Sequence, residues 1–192
     1  MTEPAVAAAD RILRRHGIRF AVVGGQAVAR SAATSTQDVD VMVTTVAYRE
    51  AVDRLKGDPE LTTAFEAGPV TRFGLRDLRG VPLDVIDAGV FSGRRTGAEF
   101  FDFLLGEQST EVDGIVYVSP EAVWYTRLLT KRWRAYAEKI VTNVIDGVAA
   151  DRLRGVEAIA RRFGTEATIR ERIAYVREEL NRPELDAVLR RD

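Results

Sequence analysis

The pattern of hydrophobic and polar residues changes near residue 119. Before that point, short runs with the two-residue period of strands alternate with runs at helical spacing. The predicted strands are 19–25, 38–43, 70–77 and 81–89, and the predicted helices are 3–16, 26–33 and 47–57. Long helical segments follow from Ser119, where Ser119, Pro120 and Glu121 supply an N-cap, a first-turn proline and a first-turn acid. The pattern predicts an α+β protein with an α/β part, 1–118, and a helical C-terminal part, 119–192.

The composition restricts the chemistry that this chain can perform. Its 192 residues are 46% hydrophobic, enough to fill an ordinary core. The absence of cysteine excludes a thiolate zinc site and a disulfide framework, and His16 is the single histidine. No apolar run of about 18 residues and no export signal is present, so we expect a cytoplasmic protein with no membrane span and no zinc. The net charge of −1 neither demands nor excludes a nucleic-acid partner.

Two carboxylates interrupt the predicted strand 38–43. Asp38 and Asp40 point to the same face of a strand, with Cα atoms roughly 6 to 7 Å apart. Such a pair repels unless a cation neutralises it, and oxygen ligands suit Mg²⁺ or a similar hard ion. The alternative is a half-exposed strand that buries its valines and leaves both carboxylates in water.

A glycine pair precedes these carboxylates. Gly24 and Gly25 end one predicted strand and open a helix, where bare backbone lets a phosphate approach N–H groups. The segment lacks the spacing of a dinucleotide fingerprint and the GK[ST] of a Walker loop. Together with Asp38 and Asp40, it predicts a site for a nucleoside triphosphate and magnesium.

These two motifs resemble the signature of the nucleotidyltransferase superfamily. Val23-Gly24-Gly25 matches its glycine pair, and Asp38-Val39-Asp40-Val41 matches its metal-binding motif. The resemblance implies a minimal nucleotidyltransferase fold, a mixed sheet with flanking helices, that uses Mg²⁺ or Mn²⁺ and a nucleoside triphosphate. It also implies a third metal-binding carboxylate on a later strand. Asp84 is the best match, Asp87 on the opposite strand face is its rival, and a strand-end aspartate in solvent is the alternative.

More narrowly, the whole chain is similar to the AbiEii-type, MenT-like toxins of toxin–antitoxin systems. Residues 118–134 resemble the strand-end, helix and lysine pattern of that family, which implies that Lys131 contacts the nucleotide phosphates. Helical spacing separates an apolar stripe from a basic side. The stripe is Ala122, Tyr125, Leu129, Trp133 and Tyr136, and the basic side is Arg127, Lys131 and Arg134. Residues 142–146 replace the family's Lys-Asp-x-x-Asp motif, so Asp146 alone is carried over as catalytic, with Lys139 as a substitute for the missing lysine.

The resemblance also implies an acceptor and a partner. In such toxins a nucleotide is added to the 3′ end of tRNA, which blocks translation, and a cognate antitoxin opposes the toxin. Thr36 occupies the position that an antitoxin phosphorylates in some of these toxins, although a turn rich in Ser and Thr has the same composition. Arginines interleaved with Phe73, Trp124 and Trp133 favour a surface for RNA. These arginines are those of segment 71–80, Arg94, Arg95, Arg127 to Arg134, Arg152, Arg154, Arg161 and Arg162.

Two other functions fit the same motifs. One is an antibiotic nucleotidyltransferase, of the kind that modifies aminoglycosides or lincosamides, whose acceptor is a small hydroxylated drug. For a cationic drug we would expect an acidic pocket, whereas Lys131 here lies among arginines. The other is a non-catalytic transferase-fold protein that serves as an antitoxin or binding module, against which intact Asp38, Asp40 and Lys131 argue.

Overall fold

The structure is a computed structural model that describes residues 4–29, 38–93, 95–136 and 149–180. The chain divides into two compact units, Met1–Ser119 and Pro120–Asp192. Thr36, Lys139 and Asp146, for which the sequence predicts roles, lie outside the described residues, as does Arg94.

The first unit contains a mixed β-sheet with flanking helices. Its helices are α1 Pro4–Arg15, α2 Gly24–Ala29, α3 Thr45–Lys56 and α4 Gly97–Glu107. Its strands are β1 Ala21–Val23, β2 Val39–Val43, β3 Leu61–Ala67, β4 Val70–Leu75, β5 Val81–Asp87, β6 Ser109–Val112 and β7 Ile115–Val118. Short 3₁₀ turns at Arg76–Leu78 and Ala88–Phe91 follow β4 and β5.

The described strands form one seven-stranded sheet in the order β3-β4-β5-β2-β1-β7-β6. The pairs β1–β7 and β2–β5 are parallel, and the other neighbouring pairs are antiparallel. All four predicted strands are present. The predicted α+β class, a mixed sheet with flanking helices and a helical C-terminal part, is confirmed.

One face of this sheet carries the hydrophobic core. Alternate residues of β2, namely Val39, Val41 and Val43, are buried in a cluster with Leu83 and Val85 of β5. Apolar residues of α1 and α3 belong to the same cluster, so both helices cover this face. Because successive strand residues point to opposite sides, residues 40 and 84 face the other side of the sheet.

The second unit consists of helices among the residues described. They are α5 Pro120–Leu129, α6 Ala149–Phe163 and α7 Glu166–Leu180, and residues 133–136 are also helical. Trp124, Tyr125 and Phe163 of this unit are fully buried. The predicted stripe does not continue along a single helix, because α5 ends at Leu129 and Lys131 lies in the turn that follows. Arg172 of α7 donates hydrogen bonds to the carbonyls of Leu128 and Thr130, which satisfies acceptors at this helix end.

None of the described helices combines the length and the apolar character that a membrane span requires.

Candidate active site

Backbone pairing brings Asp40 and Asp84 side by side. Val23 of β1 is the antiparallel partner of Asp40 in β2, and Asp40 is the parallel partner of Asp84 in β5. Directly paired residues of neighbouring strands point to the same face of a sheet. The side chains of Asp40 and Asp84 therefore share the face opposite α1 and α3.

Asp38, Asp40 and Asp84 form one group, which we call the acidic cluster. One carboxylate oxygen of each residue lies within 4.8 Å of the corresponding oxygens of the other two. Asp38 and Asp40 are half-buried, whereas Asp84 is buried. Three carboxylates at this separation repel one another, and a cation between them removes that cost.

Gly24 packs directly against this cluster. It follows Val23, the partner of Asp40, and has a left-handed φ of +66°. A Cβ atom at this position would stand 1.8 Å from Oδ2 of Asp40, which is far inside van der Waals contact. Glycine is required here both by the backbone conformation and by the approach of the carboxylate. Gly25 follows as the second residue of α2.

Arg72 contacts the third carboxylate of the cluster. It is the antiparallel partner of Asp84 on β4, and its Nε and Nη2 atoms donate to Oδ1 and Oδ2 of Asp84, each at 2.6 Å. Hydrogen bonding to Asp84 raises the pKa of the Arg72 guanidinium above its ordinary value, with smaller electrostatic contributions from Asp38 and Asp40. The guanidinium therefore stays positively charged inside the acidic cluster.

Asp87, the rival third carboxylate, performs a different task. Its Oδ1 atom accepts hydrogen bonds from the Thr45 hydroxyl and from the backbone N–H of Gly89, each at 2.7 Å. Asp87 caps the 3₁₀ turn after β5 and ties it to the start of α3. Asp84 and Asp87 are three positions apart on β5, so their side chains point to opposite faces of the sheet. Asp87 shares its face with Val85, and only Asp84 lies at the acidic cluster.

The donor set of the acidic cluster fits a divalent cation. Its candidate ligands are carboxylate oxygens, the atoms that Mg²⁺ and Mn²⁺ prefer. Asp38 and Asp40 can share one ion because Asp38 immediately precedes β2, Asp40 is the second residue of β2, and their carboxylate oxygens lie within 4.8 Å of each other. The bidentate contact with Arg72 occupies both oxygens of Asp84.

The basic residues of the predicted RNA surface separate into different environments. Phe73 and Trp124 are at most 1% exposed and belong to the core, so the prediction that they interleave with arginines at a surface is wrong. Arg72 pairs with Asp84 instead of extending a basic surface. Lys131 and Arg134 are exposed in the second unit, where the Arg134 guanidinium lies 5.3 Å from the ring centre of Trp133.

The sequence matches no family model and no curated protein. The structure is similar to an antigenic nucleotidyltransferase-like protein from Paracoccidioides brasiliensis, with 19% identity, 96% of this chain and 89% of that chain covered, and a TM-score of 0.47. It is also similar to the antibiotic-resistance factor ANT(2″)-Ia, with 13% identity, coverage of 91% and 94%, and a TM-score of 0.49. At these identities the similarity concerns the backbone fold alone.

Proposed function

We propose that this protein is a metal-dependent nucleotidyltransferase. The observation that carries the proposal is the acidic cluster, in which neighbouring strands bring Asp40 and Asp84 together near Asp38, with Asp40 against Gly24. Carboxylates gathered this closely on one sheet face are costly without a cation, and a cation held there suits the charge of a triphosphate.

The proposed reaction is an in-line displacement at the α-phosphate of a nucleoside triphosphate. The acceptor hydroxyl oxygen forms a bond to the α-phosphorus, the bond from that phosphorus to the β-phosphate oxygen breaks, and pyrophosphate leaves. A divalent cation held by Asp38 and Asp40 supplies charge neutralisation for the triphosphate. Asp84 lies beside this pair, where it can accept the hydroxyl proton or serve a second cation.

For the acceptor we propose an RNA, and specifically the 3′ end of tRNA. Exposed Lys131, Arg132 and Arg134 next to the Trp133 ring support this choice, since a cationic surface with an aromatic side chain suits a phosphate backbone and its bases. On this proposal the protein acts as a toxin that blocks translation, and its second partner is a cognate antitoxin. The assignments of Gly24, Gly25 and Lys131 to the triphosphate, of Asp146 to catalysis and of Thr36 to regulation stay predictions.

The test follows transfer of label directly. The purified protein is incubated with Mg²⁺, total tRNA and each α-labelled triphosphate in turn, beside Asp38→Asn and the control Asp53→Asn. Asp53 is a suitable control because its side chain is 76% exposed on α3. We expect label in tRNA with the wild type and with Asp53→Asn, and none with Asp38→Asn.

A parallel reaction contains an aminoglycoside in place of tRNA. Label in the drug but not in RNA would support a nucleotidyltransferase and contradict RNA as its acceptor. Label in neither acceptor, with any triphosphate, would contradict the proposed function. Binding to RNA that does not weaken as salt rises would contradict the proposed cationic surface.

A further inference from the structure

The acidic cluster already contains a positive charge of its own. Arg72 and Asp84 are directly opposed on β4 and β5, and the guanidinium holds both carboxylate oxygens at 2.6 Å. The Asp84 side chain is only 10% exposed, whereas that of Arg72 is 43% exposed. Arg72 thus reaches the cluster from the solvent side of its strand and neutralises the most buried carboxylate.

This contact conflicts with a metal ion at Asp84. A cation bound to Asp84 would compete with Nε and Nη2 of Arg72 for the same two oxygens. It would also lie close to a guanidinium that cannot lose its proton, and like charges at such separations repel strongly in a partly buried site. Asp38 precedes β2 and Asp40 lies within it. Because β5, which carries Asp84, lies between β4 and β2, these two carboxylates offer oxygens on the side of Asp84 away from β4.

We propose that Arg72 takes the place of a second cation beside Asp84, so that the acidic cluster binds a single divalent cation through Asp38 and Asp40. The inference rests on the proposed function, which requires the cation. It adds that Arg72 is the positioning residue of the third carboxylate, Asp84. Two parallel hydrogen bonds fix the plane of the Asp84 carboxylate, as a guanidinium fork does wherever it meets a carboxylate. Asp84 then holds the Arg72 guanidinium in the acidic cluster and leaves the metal to its two neighbours.

The first experiment counts Mn²⁺ ions bound to the full chain, with Mn²⁺ alone as the probe and electron paramagnetic resonance of the free ion as the readout. We expect the wild type to bind one Mn²⁺ per chain. Asp84→Asn should still bind one, with a dissociation constant raised by at most about 10- to 100-fold, the range of a residue that supports the ligands without binding the ion. Asp38→Asn should weaken binding by more than that.

The second experiment removes the positive charge of Arg72. We expect Arg72→Met to bind a second Mn²⁺, and the double variant Arg72→Met with Asp84→Asn to return to one. Arg72→Lys keeps the positive charge and should bind one ion, as the wild type does. Arg11→Met is the matched control, because it breaks another bidentate pair, with Glu60, outside the acidic cluster.

Two Mn²⁺ ions on the wild type, one of which Asp84→Asn removes, would overturn the inference. Failure of Arg72→Met to gain an ion would do the same, as would a wild type that binds no Mn²⁺. If Arg72→Met does not fold, the comparison of the wild type with Asp84→Asn still decides. The count requires neither triphosphate nor acceptor, so a protein that binds one Mn²⁺ yet transfers no label contradicts the proposed function alone. A protein that transfers label but binds two ions contradicts only the role of Arg72.

Discussion

Two groups of charged residues in the first unit use carboxylates in opposite ways. In the acidic cluster, Asp38, Asp40 and Asp84 bring oxygens of like charge within 4.8 Å of one another. In the second group, which we call the Asp58 network, Asp58 and Glu60 accept hydrogen bonds from cationic or imidazole groups of α1 and the turn after it. Those groups are Arg11, Arg15 and His16.

The Asp58 network has the geometry of a structural anchor. Asp58 is 4% exposed, and its Oδ2 atom lies 2.5 Å from Arg15 Nη2 and 2.6 Å from His16 Nε2. Its Oδ1 atom accepts from the backbone N–H of Glu60. Burial raises the pKa of Asp58, but the hydrogen bonds from Arg15 and His16 outweigh burial and hold that pKa below its ordinary value. The network fixes the end of α1 against the turn before β3.

The difference shows how the same residue types serve stability in one place and function in another. Opposite charges that meet in the Asp58 network stabilise the fold, so loss of a carboxylate should weaken it. Like charges that meet at Asp38 and Asp40 oppose folding, so loss of either of these two carboxylates should spare the fold and remove the chemistry. Substitutions in the Asp58 network should therefore lower stability and spare activity, whereas substitutions of Asp38 or Asp40 should lower activity and spare stability.

The largest expected effect is on catalysis, from Asp38→Asn. We expect the initial rate of nucleotidyl transfer to fall roughly 10²- to 10³-fold, as when a preorganised electrostatic contact is removed from an active site. The free energy of unfolding, measured with urea in the presence of EDTA, should not decrease. A variant that loses stability while it keeps transferring label would reverse the comparison between the two groups.

The next largest effect is expected from Gly24→Ala, which places a methyl group against Asp40 of the acidic cluster. We expect the unfolding free energy to fall by about 3 kcal/mol, from about 1–2 for a side chain at positive φ and about 1–3 for the clash with Asp40. Gly68→Ala is the matched control, because Gly68 has a φ of +57° and open space around a new Cβ. Gly24→Ala should also weaken Mn²⁺ binding, whereas Gly68→Ala should not. Equal effects of both substitutions would contradict a special approach of Gly24 to Asp40.

A smaller effect is expected from Asp58→Asn in the second group. Loss of the charged acceptor for Arg15 and His16 should lower the free energy of unfolding by about 1–3 kcal/mol. Nucleotidyl transfer at a temperature well below the transition should stay near the wild-type rate, since no residue of the network belongs to the acidic cluster. Exposed Asp53→Asn again serves as the control in urea denaturation. A selective loss of transfer by the folded variant would assign the network a part in the reaction.

The smallest effect concerns pH and Glu60. Hydrogen bonds from Arg11 and then Arg15 lower the pKa of Glu60 from 4.5 to about 2. A carboxyl group whose pKa is lower in the folded state stabilises the fold above its unfolded pKa, and this contribution disappears as pH falls. The stability difference between wild type and Glu60→Gln should therefore be present at neutral pH and shrink between about 4.5 and about 2. A difference that stays constant over this interval would show that the ion pairs contribute nothing.

Helix α4 and strands β6 and β7 were not predicted, although the sequence contains signals for them. Helix α4 begins with a capping box in which Thr96 and Glu99 exchange hydrogen bonds, and the spacing Thr-x-x-Glu is visible in the sequence. Strands β6 and β7 are joined at Asp113-Gly114, both at positive φ, which is the typical turn of a tight hairpin. Strand β3, by contrast, lies at the sheet edge, and its pattern LTTAFEA lacks regular alternation.

The sequence by itself determined the α+β class, the four strands that surround the site, and the closeness of Asp38 and Asp40 at the start of β2. Those features depend on local periodicity, which a strand imposes on its own residues. Only the tertiary structure decided that Asp40 lies beside Asp84, that Asp87 caps a turn, and that Arg72 neutralises the third carboxylate. Each of these follows from the register between β2, β5 and β4, and register is fixed by the packing of whole strands against α1 and α3, which no short stretch of sequence contains.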